Sequence, residues 1–188
     1  APDSPGRGVG LTLGVCFPGD PLTRLSVAVR PSQAICSRLA ALPREPLPGV
    51  NWTAPERWIV KLRPLGHVAE HLVAPLVDAL YDALDGAPAP TCTLGPLTVR
   101  AGGSWLYAPV AGLDELAEEV FAATEHLVPV THPQPYLAAL ALATGRIPAE
   151  LAGAPVDGTW RASAAALIAD RSAPGRARLV ELGTFPLV

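Results

Sequence analysis

The chain has 188 residues, a hydrophobic share of 49%, a charged share of 16% and a formal net charge of −3. That length suits one domain, or two small lobes sharing a core, with ample apolar content for a packed interior. The weak negative balance excludes a long nucleic-acid backbone as the expected partner but leaves room for a local basic cleft, and no apolar run approaches the ~18 residues of a membrane span.

Residues 1–23 read as an N-terminal arm. Its first ten residues are small, polar and rich in Gly and Pro, without the charged-then-apolar layout of a signal peptide. Residues 11–17 read as a short strand, closed by Pro18-Gly19-Asp20-Pro21. Residues 25–29 are β-rich and alternate, which predicts a strand. Pro31 then opens a helix that carries Ile35, Leu39 and Leu42 on one stripe and stops at Pro43. A Pro-rich turn leads to Val50-Asn51-Trp52-Thr53 and on to a strand over residues 57–66. Residues 68–84 set Val73, Val77, Leu80 and Leu84 at helical spacing, with Pro75 expected to kink or restart the helix and Gly86 to close it.

The second half repeats the order. Residues 92–100 predict a strand broken at Gly95-Pro96, and residues 104–110 predict another after Gly102-Gly103. Leu113, Leu116 and Val120 mark an acidic amphipathic helix that runs to His126. A strand over 137–143 follows, then a Gly/Pro-rich loop to Gly158. Strands over 160–170 and 178–187 flank the turn Ser172-Ala173-Pro174-Gly175. This layout is α+β, with helices packed against antiparallel sheet, and residues 24–188 form one domain.

Cys16, Cys36 and Cys92 are odd in number, far apart and without metal-ligand spacing, so they read as free thiols of a reducing cytoplasm. Basic residues are thirteen arginines and one lysine, the bias of a GC-rich bacterial genome. That lysine, Lys61, lies in the sequence Arg57-Trp58-Ile59-Val60-Lys61-Leu62-Arg63-Pro64-Leu65-Gly66. Read as a strand, Trp58, Val60 and Leu62 share a core-facing side, while Ile59, Lys61 and Arg63 share the other.

Several segments, in order, resemble the 2H phosphoesterase superfamily, the group of 2′-5′ RNA ligases and cyclic nucleotide phosphodiesterases. Residues 24–29 with the Pro31 helix look like its opening strand and helix. Residues 50–56 look like the lead into its first motif, and Leu62-Arg63-Pro64-Leu65-Gly66 like the exit. Residues 169–187, with Ser172 before the turn and Phe185-Pro186-Leu187 after it, are similar to its closing hairpin. The resemblance implies two pseudo-symmetric lobes of antiparallel sheet, helices packed outside, and a central cleft to which each lobe supplies one His-x-Thr. In such a site one histidine takes a proton from the nucleophile while the other donates one to the leaving oxygen. The threonine hydroxyls hydrogen-bond the phosphate oxygens, where charge grows.

Both motifs are degenerate here. The first places Ile59 at the histidine and Lys61 at the threonine. The second has two registers: Ala139 and Ala141, which sets Leu140 and Leu142 toward the core, or Tyr136 and Ala138. Neither isoleucine nor alanine moves a proton, so no catalytic residue is assigned and the expectation leans away from an enzyme. Lys61 and Arg63 offer positive charge where the family grips phosphate, and Tyr136 and His132 are the other candidate ligand-binding residues. Trp52, Trp58, Trp105 and Tyr107 are candidates for stacking or for the core. His67 and His71, four apart at the start of the predicted helix, lack a third metal ligand, and no phosphate loop, G-x-S-x-G or zinc pattern occurs. The expected function is non-catalytic binding of a small anionic ligand, such as a nucleotide, or of a protein partner, with no metal and no cofactor. The alternatives are an enzyme with relocated groups, such as Tyr136, His132 and Lys61, and a scaffold with a filled cleft.

Overall fold

The computed structural model describes residues 20–176 and 178–188. The strand expected over 11–17 lies outside them. Among the described residues, ten antiparallel strands and three helices follow in chain order: β1 (Leu22–Val29), α1 (Gln33–Ala40), β2 (Val50–Trp52), β3 (Val60–Ala69), α2 (Val73–Leu84), β4 (Thr91–Leu94), β5 (Val99–Ala101), β6 (Trp105–Ala111), α3 (Asp114–Thr124), β7 (Ala139–Gly145), β8 (Gly158–Arg161), β9 (Ala164–Asp170) and β10 (Leu179–Pro186).

The strands run in the order β10-β9-β1-β3-β7-β6-β4-β8, with β2 paired to β7 and β5 to β6. The four strands from β10 to β3 make one lobe, and β7 to β8 make the other. On β1 the odd positions Leu25, Val27 and Val29 are buried in the main core, whereas Arg24, Ser26 and Ala28 share the opposite face. Helix α1 starts where the Ser32 hydroxyl accepts from the Ile35 amide, and it buries Ile35 and Leu39. Leu76, Leu80 and Leu84 form the buried stripe of α2, which packs against α3 and β10. Burying each of them fully is worth about 1.5–3 kcal/mol.

Three boundaries differ from the sequence reading. First, β3 continues through His67 to Ala69, so that histidine sits on a strand. His71 occupies a 3-10 turn (Glu70–Leu72) ahead of α2. Second, Pro75 falls in the first turn of α2, where its missing N–H has no helical partner to lose, and the helix runs on through it. Third, the stretch 160–170 is two strands. β8 pairs with β4 in one lobe and β9 with β1 in the other, so the chain changes lobes at Ala162 and Ser163. Nothing local marks that crossing, since the change is one of strand partner.

One register shift matters most. Against β1, Val27 faces Arg63 and Ala28 faces Lys61, so Leu62 is the extra residue of a β-bulge. Alternation breaks there, and Leu62 and Arg63 are both buried. Arg63 therefore does not share the face of Lys61, contrary to the strict period-two expectation. Its guanidinium donates to the Thr124 hydroxyl and the Val128 carbonyl, and lies 4.8 Å from the Phe121 ring centroid. Burial pulls its pKa down, partly opposed by the Glu125 carboxylate. Arg63 thus ties β3 to the end of α3, with Nε lacking a hydrogen-bond partner among the described residues.

Thr124→Val keeps the shape but leaves a buried Arg63 donor unpaired, and should cost about 1–3 kcal/mol in urea denaturation. Arg63→Met, which removes the charge together with its need for partners, should cost less than Thr124→Val does. The reverse order would show that the ion is a net stabiliser.

Candidate functional site

The two lobes meet where β3 pairs with β7, at the single position Val60↔Leu140. Both side chains are fully buried on the helix side. Their sequence neighbours, Ile59 and Lys61 on one strand and Ala139 and Ala141 on the other, consequently point the opposite way. All four line one open cleft of about 860 Å³ between the lobes. Of the two registers, the backbone has the one that turns Ala139 and Ala141 into the cleft.

Basic charge gathers on the first lobe's wall. Among the described residues, Arg24, Arg57, Lys61 and Arg176 line the cleft against one carboxylate, Asp170. Arg24 stands on β1, paired in register with His67 of β3 and Asp170 of β9. Arg57 ends a 3-10 turn (Pro55–Arg57) and bonds Asp170 at 2.9 Å. Asp170 also accepts from the Ser172 amide at 3.0 Å. Burial alone would raise its pKa, but the bonds from Ser172 and the charges of Arg57 and Arg24 hold it below the ordinary carboxylate value. It is an ionised anchor for Arg57, and no proton donor near neutrality.

Lys61 reaches solvent within the cleft while the surrounding walls strip part of its hydration. Its strand neighbour is Ala28, which pairs in turn with Ala166. Ala28, Ile59, Ala166 and Ile168 form a small apolar cluster apart from the main core. Desolvation, and then the adjacent Arg24 charge, pull the ammonium's pKa below its usual value; Asp170 opposes them and Arg57 adds to them. Across the cleft, Trp105 stacks on Tyr107 with centroids 4.4 Å apart and an interplanar angle of 29°. Trp105 and Trp52 both line the cleft.

The remaining candidates lie elsewhere. Tyr136 precedes β7 and falls on the side away from the cleft, near Asp114 and Cys92. Desolvation first, then the Asp114 charge, raises its pKa. His132 is exposed in the loop before β7 and is not part of the cleft lining. His71 pairs with Asp20, and His67 borders a shallow extension of the cleft with Arg24, Arg57 and Ser172. Trp58 is core, and a separate pocket of about 200 Å³ opens beside it and Leu39. Among the described residues no three His, Cys, Asp or Glu side chains gather as a metal site, and no helix is long and apolar enough to cross a membrane.

No family model matches the chain, and no curated protein matches it. Solved structures do. LigT of E. coli complexed with 3′-AMP aligns at a TM-score of 0.74 and 20% identity, over 89% of this chain and 99% of that one. TT0787 of Thermus thermophilus aligns at 0.73 and 23%, over 87% and 97%. The MHV ns2 PDE domain aligns at 0.52 and 13%, over 87% and 99%. The fold is that of the 2H phosphoesterases. In this 2H-like chain the positions that the sequence resemblance assigns to the two His-x-Thr pairs flank the inter-lobe seam, two from each strand.

Arg24, Arg57, Asp170 and Arg176 were missed from sequence. Arg24 carried a signal, since the even positions of β1 from Arg24 onward are polar or small. The Arg57–Asp170 pair spans 113 residues and carried none.

A lysine held below its usual pKa opposes folding while it is charged. The unfolded chain then binds more protons, so stability rises with pH between the lowered value and the ordinary 10.5. Lys61→Met should therefore raise the melting temperature at neutral pH, by less than about 4 °C because the ammonium still meets solvent. Thermal unfolding followed by circular dichroism checks this, and a clear loss of stability would contradict it.

Proposed function

We propose that the protein binds a small anionic ligand, with a nucleotide as the favoured class, in the inter-lobe cleft and does not cleave it. One observation carries this reading: among the described residues the cleft is lined by four basic side chains and one carboxylate, with Ile59, Lys61, Ala139 and Ala141 at the positions that the sequence resemblance assigns to the motifs. Charge complementary to a phosphate is present. Paired proton carriers on opposite sides of a reacting phosphorus are not.

Other readings fare less well. Relocated catalysis through Tyr136, His132 and Lys61 needs those groups within hydrogen-bond reach of one another or of a shared substrate, and only Lys61 lines the cleft. Against a scaffold whose cleft is filled by its own side chains stands the open volume of about 860 Å³ that the described residues leave. A small ligand suits a concave site of that size better than a protein surface does. Of the similar structures, LigT was solved with 3′-AMP, NADP+, ATP and phosphate. Those ligands make a sensible first panel, with Trp105 and Trp52 available to stack on a planar base.

Titration calorimetry with that panel, beside hydrolysis assays on 2′,3′-cyclic nucleotides and 2′-5′-linked dinucleotides, tests the reading. Saturable binding is expected, with no turnover above background. Lys61→Ala should weaken binding about 10- to 100-fold, the worth of one charge-assisted contact. Binding should also fade as pH rises toward the lowered pKa of Lys61, because deprotonation removes the charge. Turnover lost in Lys61→Ala would make the protein an enzyme, and absence of any anion binding would end the proposal.

A further inference from the structure

We propose that Lys61 is a carbonyl-reactive amine, whose Nζ forms a reversible imine with an aldehyde or ketone that also carries a phosphate or carboxylate held by Arg24 and Arg57. This inference rests on the anion-binding reading of the cleft and adds a covalent step to it.

The first ground is residue choice. The chain meets every other need for basic charge with arginine, at thirteen positions, and uses lysine once, inside the cleft. Were fixed positive charge the whole requirement, a guanidinium would serve, because it stays charged and grips an anion through a planar fork. Lysine differs in one chemical respect: it can lose its proton and become a nucleophile.

The second ground is surroundings. Lys61 stands beside Ala28, itself paired with Ala166, and next to Ile59, so its own strand and its neighbours offer an apolar base. Across the seam the facing residues are Ala139 and Ala141. Neither occupies the volume that a bound carbonyl compound needs, and neither can protonate the amine. The charged groups near Lys61 are Arg24 from β1, Arg57 from the turn before β3, and Asp170 from the end of β9. Arg176, from the loop beyond β9, lines the same cleft. Desolvation and the two nearest guanidiniums favour the neutral amine, with Asp170 as the opposing charge. A phosphate can thus be held by the permanent cations Arg24 and Arg57 while Lys61 exchanges between the ammonium that adds to that grip and the neutral amine that reacts.

The step balances without a redox partner. The Nζ lone pair attacks the carbonyl carbon, a C–N bond forms, and the carbonyl oxygen takes up a proton to give a carbinolamine. The C–O bond then breaks, water leaves with that oxygen, and a C=N bond replaces it. Amine plus carbonyl compound give imine plus water, and hydrolysis reverses the reaction.

Pyridoxal 5′-phosphate serves as the probe, with borohydride to reduce the imine to a stable amine and mass spectrometry to locate it. Besides the α-amino group, Lys61 is the one amine in the chain, so assignment is direct. The expected result is one adduct per chain, on the Lys61 peptide. It should form at a probe concentration at least about tenfold lower than pyridoxal without its phosphate requires. Inorganic phosphate should suppress it, and Lys61→Arg should abolish it. Labelling that occurs equally with pyridoxal, or no faster on Lys61 than on the α-amino group, would overturn the proposal. If the wild-type protein binds the nucleotide panel but traps no adduct, imine formation is wrong and the anion-binding reading stands. If it neither binds the panel nor traps the probe, both fall.

Discussion

The pairing of Val60 with Leu140 governs the rest of the molecule. It joins four strands of one lobe to the strands of the other through one position on two antiparallel strands. Because both side chains turn into the core, the residues before and after each of them must turn the other way. The cleft is thus the unavoidable reverse of a well-packed seam. Four side chains of the cleft lining, Ile59, Lys61, Ala139 and Ala141, have their direction set by that core pair.

Strand β3 carries cations to two different ends. Lys61 precedes the bulge at Leu62 and opens into the cleft, while Arg63 follows it and is sealed against α3. One inserted residue separates a charge that a ligand can reach from a charge that serves only the fold. Buried Arg63 has two hydrogen-bonded partners and an aromatic face beneath it, so its role is spoken for. Arg24, Arg57, Lys61 and Arg176 have Asp170 as the carboxylate among them in the cleft. Like charges brought this close oppose folding, and such local conflict is typical of sites shaped for binding.

A 2H phosphoesterase fold at 18–23% identity to its LigT-like structural neighbours fits this division of labour. Apolar alternation on β1, β3, β7 and β9 builds the sheet, and α2 closes its back with Leu76, Leu80 and Leu84. Neither that stripe nor the seam pair Val60 and Leu140 lines the cleft. The residues that line the cleft can therefore vary without disturbing the core that holds the sheet together.

By itself the sequence determined the order of most strands and helices and the face of Lys61. Those are local matters of alternation, caps and residue chemistry. Tertiary structure alone decided the rest. Arg63 left the cleft because a bulge against β1 broke the period of two, and a bulge is a relation between strands. Tyr136 fell away from the cleft once Val60 paired with Leu140, since that pairing sets which residues of β7 face inward. The stretch 160–170 split between lobes because its two halves pair with different strands, and strand partnership is a relation between distant segments. Arg57 found Asp170, 113 residues away, and the basic wall around Lys61 came from three separate segments, those of Arg24, Arg57 and Arg176. No local pattern encodes such a meeting, because it depends on how far the sheet curls before its distant parts come together.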